Sequence, residues 1–231
     1  MFTFTTSWDD GDKNDLRIAD LLDRYGMRGT FYIAKSQKNR LSEEDILALS
    51  KQQEIGAHTL THADLPLLTK EEKIHEIQGS KEWLESVTGN SVHFFCYPYG
   101  RVDEETREVV ATLGFKAARS SVKTLGTKPT DPYMLPVTTM TYRAPYTPIT
   151  KMLLIAGVTP ASNSGWEVLV REKLEKVAAD EGYFHLWGHS WEIEKLKLWS
   201  SLEMFLKEVS LRKDVLYVSN GELADKVFYG E

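Results

Sequence analysis

Short β-branched or aromatic runs alternate with stretches of helical periodicity from one end of this 231-residue chain to the other. Parallel strands need long crossovers, most often helices, so the alternation points to βα units built around a parallel sheet. Phe2 to Thr6 reads as the first strand, and Ile18, Leu21, Leu22 and Tyr25 then fall on one helical face that Gly26 terminates. Thr30 to Ala34, Glu54 to Ala57, His93 to Tyr97, Phe115 to Ala118, Tyr183 to Trp187 and Val215 to Val218 read as further strands. Ser42 with Asp45, and Thr69 with Glu72, have capping-box spacing, and the second pair opens a helix carrying Ile74, Ile77, Leu84 and Val87 to a stop at Gly89. Other helices run through Val109, Val110 and Leu113, through Val168, Leu169, Leu174 and Val177, and beyond Val218. From Ser120 to Pro148, prolines and threonines break the periodicity and no element is assigned. No linker or repeat interrupts the pattern, so a single domain over residues 1–231 is expected.

Composition narrows the function classes. A net charge of −6, with no run of Lys or Arg, argues against nucleic acid as a partner. No apolar stretch reaches the length of a membrane span. The single cysteine, Cys96, excludes an internal disulfide and any Cys-based zinc cluster. The opening Met1 to Thr6 alternates like a strand and lacks the features of a signal peptide, so the sequence as written is expected in the cytoplasm. A neutral or weakly charged substrate fits this balance, and no sequence feature sets an oligomeric state.

The unusual polar residues gather at strand ends. Asp9-Asp10 follows the first strand, His58 and His62 the third, Pro98-Tyr99-Gly100 the fourth, Arg119 the fifth and His189 the penultimate one. In a parallel βα barrel every strand ends on the same face, so these segments converge on one mouth. His58 and His62, four apart, are expected on one side of a helical turn, where two imidazoles can grip one cation. Two histidines and a carboxylate leave zinc with open positions, and water bound there is acidic enough to act as a nucleophile near neutral pH. Asp9 and Asp10 point in different directions, so one suits a ligand and the other a base. Asp9-Asp10-Gly11-Asp12 is also what a plain strand-to-helix turn favours, and the histidines are what tip the reading toward chemistry.

These residues resemble the motifs of the NodB-like polysaccharide deacetylases, also called carbohydrate esterase family four. Ser7-Trp8-Asp9-Asp10-Gly11 resembles their opening Asp-Asp-Gly motif, and His58-Thr-Leu-Thr-His62 their His-(Ser/Thr)-x-x-His motif. Gly29 to Tyr32, Tyr97 to Gly100 and Leu186 to His189 match in order, so the resemblance spans Phe2 to about Ser190. It implies an α/β fold, a distorted (β/α) barrel of about seven parallel strands with outer helices. It also implies removal of N-acetyl groups from a sugar or polysaccharide, with Asp9 as base, His189 as acid, the Tyr99 N–H at the oxyanion, and Asp10, His58 and His62 on one divalent metal ion. Zinc leads, and cobalt, nickel, manganese or iron suit the same donors.

Two departures from the family pattern matter. Cys96 and Tyr97 stand where an arginine often holds the catalytic aspartate, so Arg119 is the candidate partner of Asp9, against the alternative of a surface arginine. No Asp-x-x-Asp-Trp motif is present to orient His189, which leaves Glu192 and Glu194 as candidates. Trp8, Trp187 and Trp191 flank the motifs and could stack on a sugar or pack in the core. Alternatives are hydrolysis of a small non-sugar amide or cyclic ureide, a barrel that binds carbohydrate without catalysis, and an iron oxygenase, whose all-β host conflicts with the βα alternation.

Overall fold

The computed structural model describes residues 1–141 and 166–230. Nine strands form one sheet: β1 (Phe2–Asp10), β2 (Thr30–Ile33), β3 (Glu54–Ala57), β4 (Phe94–Cys96), β5 (Ala117–Lys123), β6 (Leu135–Val137), β7 (Thr139–Met140), β8 (Tyr183–Gly188) and β9 (Val215–Tyr217). Their order is β6-β5-β4-β3-β2-β1-β8-β7, and every pairing is parallel. Only Thr138 separates β6 from β7, so one segment pairs with β5 at one end of the sheet and with β8 at the other. That shared segment nearly closes the eight strands into a distorted (β/α) barrel. Counting it as one stave gives the expected seven. The ninth strand, β9, pairs with the first residues of β1 while β2 pairs with its last ones.

Helices α1 (Asp15–Arg24), α2 (Glu43–Leu49), α3 (Lys70–Thr88) and α4 (Glu104–Thr112) cross over between the first five strands. Both capping boxes form: the Ser42 and Thr69 side chains accept from the backbones of Asp45 and Glu72, whose carboxylates accept in return. Gly89 then ends α3 in the left-handed conformation, φ 69°. Thr69→Ala is expected to cost about 1 kcal/mol of unfolding free energy in chemical denaturation, because it orphans a first-turn N–H. The helices bury Ile18, Leu22, Ile46, Ile77, Leu84 and Val110 against strand residues such as Phe4, Phe31 and Phe95.

Three sequence expectations are corrected, the first being the end of β1, which runs on to Asp10 rather than stopping at Thr6. Strand β5 starts at Ala117, because the Phe115 N–H bonds back to the Val110 carbonyl and closes α4. The helix after residue 165, α5 (Trp166–Ala179), buries Trp166, Val170, Leu174 and Val177, while Val168 is exposed. Counting that face from Trp166 puts Val168 on the solvent side. Helices α6 (Ser190–Lys195) and α7 (Trp199–Ser210) precede β9, and α8 (Asn220–Ala224) follows it. The unassigned stretch from Ser120 supplies β6 and β7, and its part from 142 to 148 lies outside the described residues. Among the described residues, no helix is long and apolar enough to cross a membrane.

Candidate active site

Parallel pairing carries the motif residues to one rim. Asp9 and Asp10 end β1, His58 follows β3, Tyr97 follows β4, and His189 follows β8; Arg119 lies within β5, in register with Cys96. Together they line a cleft of about 430 Å3, whose wall is completed by His62, Tyr99, Gly100, Ser121, Met140, Trp187, Trp191 and Glu192. Nothing in the local pattern around Ser121 or Met140 marks them in sequence.

The turn after β1 is tight. Asp10 and Gly11 both adopt positive φ, 82° and 76°, and a Cβ on Gly11 would meet Ile33 Cγ2 at 2.6 Å. Only glycine combines that backbone with that proximity. Asp12 serves the turn, as the plain reading of this stretch anticipated, since its Oδ1 accepts from the Asn14 backbone and side chain and its Oδ2 from Asn39.

The two histidines do not share a helical turn. Residues 58–62 form a loop in which Thr59 and His62 take left-handed conformations, φ 67° and 57°. Those two reversals bring the rings together nonetheless, with centroids 4.8 Å apart. His58 Nδ1 donates to the Cys96 carbonyl at 2.7 Å, because a carbonyl can only accept, and this leaves Nε2 toward the cleft. Asp10 Oδ1 lies 3.4 Å from His62 Nε2 and 3.8 Å from His58 Nε2. Burial above all pushes His58 down to about 4 and lowers His62, so both imidazoles are neutral and able to ligate at physiological pH.

Asp9 faces a different partner. It is buried, and its Oδ2 accepts from Arg119 Nη2, 110 residues away in sequence. Burial opposes ionisation of Asp9, but Arg119, with His58 and His189, outweighs it and holds the carboxyl below its ordinary range. Arg119 is 1% exposed, not a surface residue, and its guanidinium lies 4.8 Å from the centroid of the Trp187 ring. Arg119→Met should therefore lower stability by about 3–5 kcal/mol, because it strands a buried charge. The double variant Asp9→Asn with Arg119→Met should recover part of that loss, which calorimetric melting of the three proteins would measure.

His189 is oriented by Glu192. Its Nδ1 donates to Glu192 Oε2 at 2.7 Å, and its Nε2 lies 4.0 Å from Asp10 Oδ2. Burial works against the imidazolium, but the Glu192 carboxylate prevails and raises His189 to about 9. Glu194, the other candidate, accepts from Trp199 Nε1 instead. Of the three flanking tryptophans, Trp8 is wholly buried, while Trp187 and Trp191 line the cleft. Trp191 is 38% exposed, and the Tyr99 ring, 65% exposed, meets His62 edge-on at 4.5 Å. His185 belongs to the interior, bonded to Ser7 and Tyr183.

Among the described residues, two groups of side chains have the composition of a cation site: Asp10, His58 and His62, and Asp9, His58 and Cys96. The second is a poor host, since Asp9 already pairs with a guanidinium and burial raises the Cys96 thiol far above its usual range, away from the thiolate that metals need. The first fits. Its Oδ1 of Asp10 is buried and has no hydrogen-bond donor among the described residues, and two neutral imidazoles plus one carboxylate are ordinary ligands of a catalytic divalent ion.

The sequence profile described as "Polysaccharide deacetylase" matches residues 2–118. Among curated proteins, YxkH of Bacillus subtilis (strain 168), provisionally named a polysaccharide deacetylase, is 30% identical over 115 residues, 48% of this chain and 41% of its own length. Chitin deacetylase 1 of Saccharomyces cerevisiae is 31% identical over 116 residues, 49% of this chain and 37% of its own length. The matches thus span about two fifths of those relatives. Among solved structures, a protein of Mycobacterium smegmatis provisionally named a polysaccharide deacetylase superposes with a TM-score of 0.74 at 16% identity, covering 99% of this chain and 90% of its own. The chitin deacetylase of Colletotrichum lindemuthianum does so with a TM-score of 0.65 at 15% identity, covering 96% and 86%. Identities that low establish the fold alone.

Proposed function

The chain belongs to the polysaccharide deacetylase family, and from that membership we propose that it hydrolyses the N-acetyl amide of an N-acetylated sugar or polysaccharide with one divalent cation. Asp10, His58 and His62 would hold the cation, zinc being the first candidate. When bound, such an ion polarises a carbonyl and acidifies water. The observation that carries the reading is the placement of Asp9 with Arg119, and of His189 with Glu192, in the same cleft as Asp10 and its two imidazoles.

Asp9 is the base. Ionised and held through Oδ2 by Arg119, it takes a proton from the attacking water through Oδ1, which has no donor among the described residues. The water oxygen bonds to the acetyl carbon, and the backbone N–H of Tyr99 serves the oxyanion at the rim after β4. Tyr99 adopts φ 58°, a left-handed conformation that reverses the chain beside the cleft. His189, charged through Glu192, then donates its Nε2 proton to the nitrogen as the carbon–nitrogen bond breaks, releasing acetate and an amine. The exposed faces of Tyr99 and Trp191 offer aromatic surface to a sugar ring.

Metal-loaded protein assayed over N-acetylated oligosaccharides is expected to release acetate, and chelation is expected to stop it. No acetate from any such glycan would refute the reading. Glu192→Gln should change the pH profile in a defined direction. His189 acts while protonated, so turnover is lost as pH rises through its pKa, and without the carboxylate that raises this pKa the alkaline limb moves to lower pH. A limb left in place would separate Glu192 from proton donation.

A further inference from the structure

The carboxylate of Asp10 has one committed oxygen and one open one. Its Oδ2 accepts from Trp191 Nε1 at 3.0 Å, while its Oδ1, without a donor among the described residues, faces the Nε2 atoms of His58 and His62. An indole has a single polar atom, and that atom can only donate. We infer that Trp191 is a positioning residue for Asp10: its N–H ties down Oδ2 and so presents Oδ1 to the imidazoles as the ligating oxygen. The inference rests on the proposed metal-dependent reading of this site.

The surroundings explain how one tryptophan holds this post. Asp10 sits at the mouth with φ 82°, and the side-chain donors beside the turn, Asn14 and Asn39, go to Asp12 rather than to the Asp10 carboxylate. Helix α6 supplies the restraint. Its successive residues Trp191 and Glu192 reach different partners, the indole to Asp10 and the carboxylate to His189. The helix start is itself fastened, since Ser190 Oγ donates to the buried Asp15 at the beginning of α1. The Trp191 ring also lies against His189, with centroids 5.4 Å apart and planes 38° apart, which sets the direction of its N–H. With 38% of the residue exposed, filling the core does not account for its position. One short helix would thus orient both the proton donor and a ligand of the cation, an outer-shell arrangement that metal sites use to fix ligand geometry.

Trp191→Phe tests this, since it keeps an aromatic ring and removes only the donor. Zinc and cobalt dissociation constants would be measured by competition with a chromogenic chelator, alongside kcat and KM at saturating metal. The variant is expected to bind metal on the order of 10- to 100-fold more weakly, with KM unchanged and kcat recovered when metal saturates. Unaltered metal affinity in Trp191→Phe, together with a raised KM in Trp191→Ala, would make the residue a stacking surface and overturn the inference. Wild-type protein that binds metal but releases no acetate would refute the proposed reaction while leaving this role for Trp191 standing. Wild-type protein that takes up no cation would overturn both.

Discussion

Asp9→Asn is expected to keep the cation and lose turnover, by a factor on the order of 10² to 10⁴, the usual contribution of a positioned base. Asparagine has the same shape and still offers an oxygen to Arg119, but it cannot accept a proton near neutral pH. The cation is retained because Asp9 lies outside the set of Asp10, His58 and His62. The exchange leaves the Arg119 guanidinium buried without its counter-charge, so a lower melting temperature should accompany the kinetic loss. Assays well below that temperature separate the two effects. Metal content by elemental analysis and kcat at saturating substrate are the paired measurements, and normal turnover in the variant would remove Asp9 from the mechanism.

His62→Ala should lose both metal and turnover. In the proposed site His62 would provide one of three donors, and the two that remain, His58 and Asp10, would make a far weaker chelate at 3.8 Å separation. It also removes the ring that Tyr99 packs against, so the rim after β4 loses a contact as well as the site a ligand. Added zinc should restore little activity at concentrations that saturate the wild type. The contrast between the variants carries the information: one protein inactive with metal, the other inactive without it. Equal metal content in both would mean that the imidazole of His62 is not a ligand.

Much of this arrangement could be read from local rules. Capping boxes at Ser42 and Thr69 and the stop at Gly89 depend on side chains within a few residues of each other, and they appear where the spacing placed them. The strand ends that precede His58 and His189 were legible because hydrophobic runs stop there, whereas β1 continues past Thr6 and carries Asp9 and Asp10 itself. The helical turn proposed for His58 and His62 was not found, since a spacing of four is neutral between a turn of helix and a loop bent by two left-handed residues. Strands β6 and β7 are three and two residues long and borrow their pairing from β5 and β8, so no periodicity could show them. Partners distant in sequence were harder still. Arg119 could be nominated for Asp9 because both end up at one rim, but only the folded barrel shows the contact, since β1 and β5 are not neighbours in the sheet. Glu192 and Glu194 were indistinguishable until α6 aimed one at His189 and the other at Trp199.

The profile match and the sheet order fix the family and the barrel, whereas the chemistry turns on which side chains hold the cation. Crystals grown with zinc and measured at the zinc absorption edge address that choice directly. The expected result is a single anomalous peak in the cleft, ligated by Asp10 Oδ1 and the Nε2 atoms of His58 and His62, with Asp9 left on Arg119. A peak held instead by Asp9, His58 and Cys96, or no peak in the cleft at all, would contradict the account.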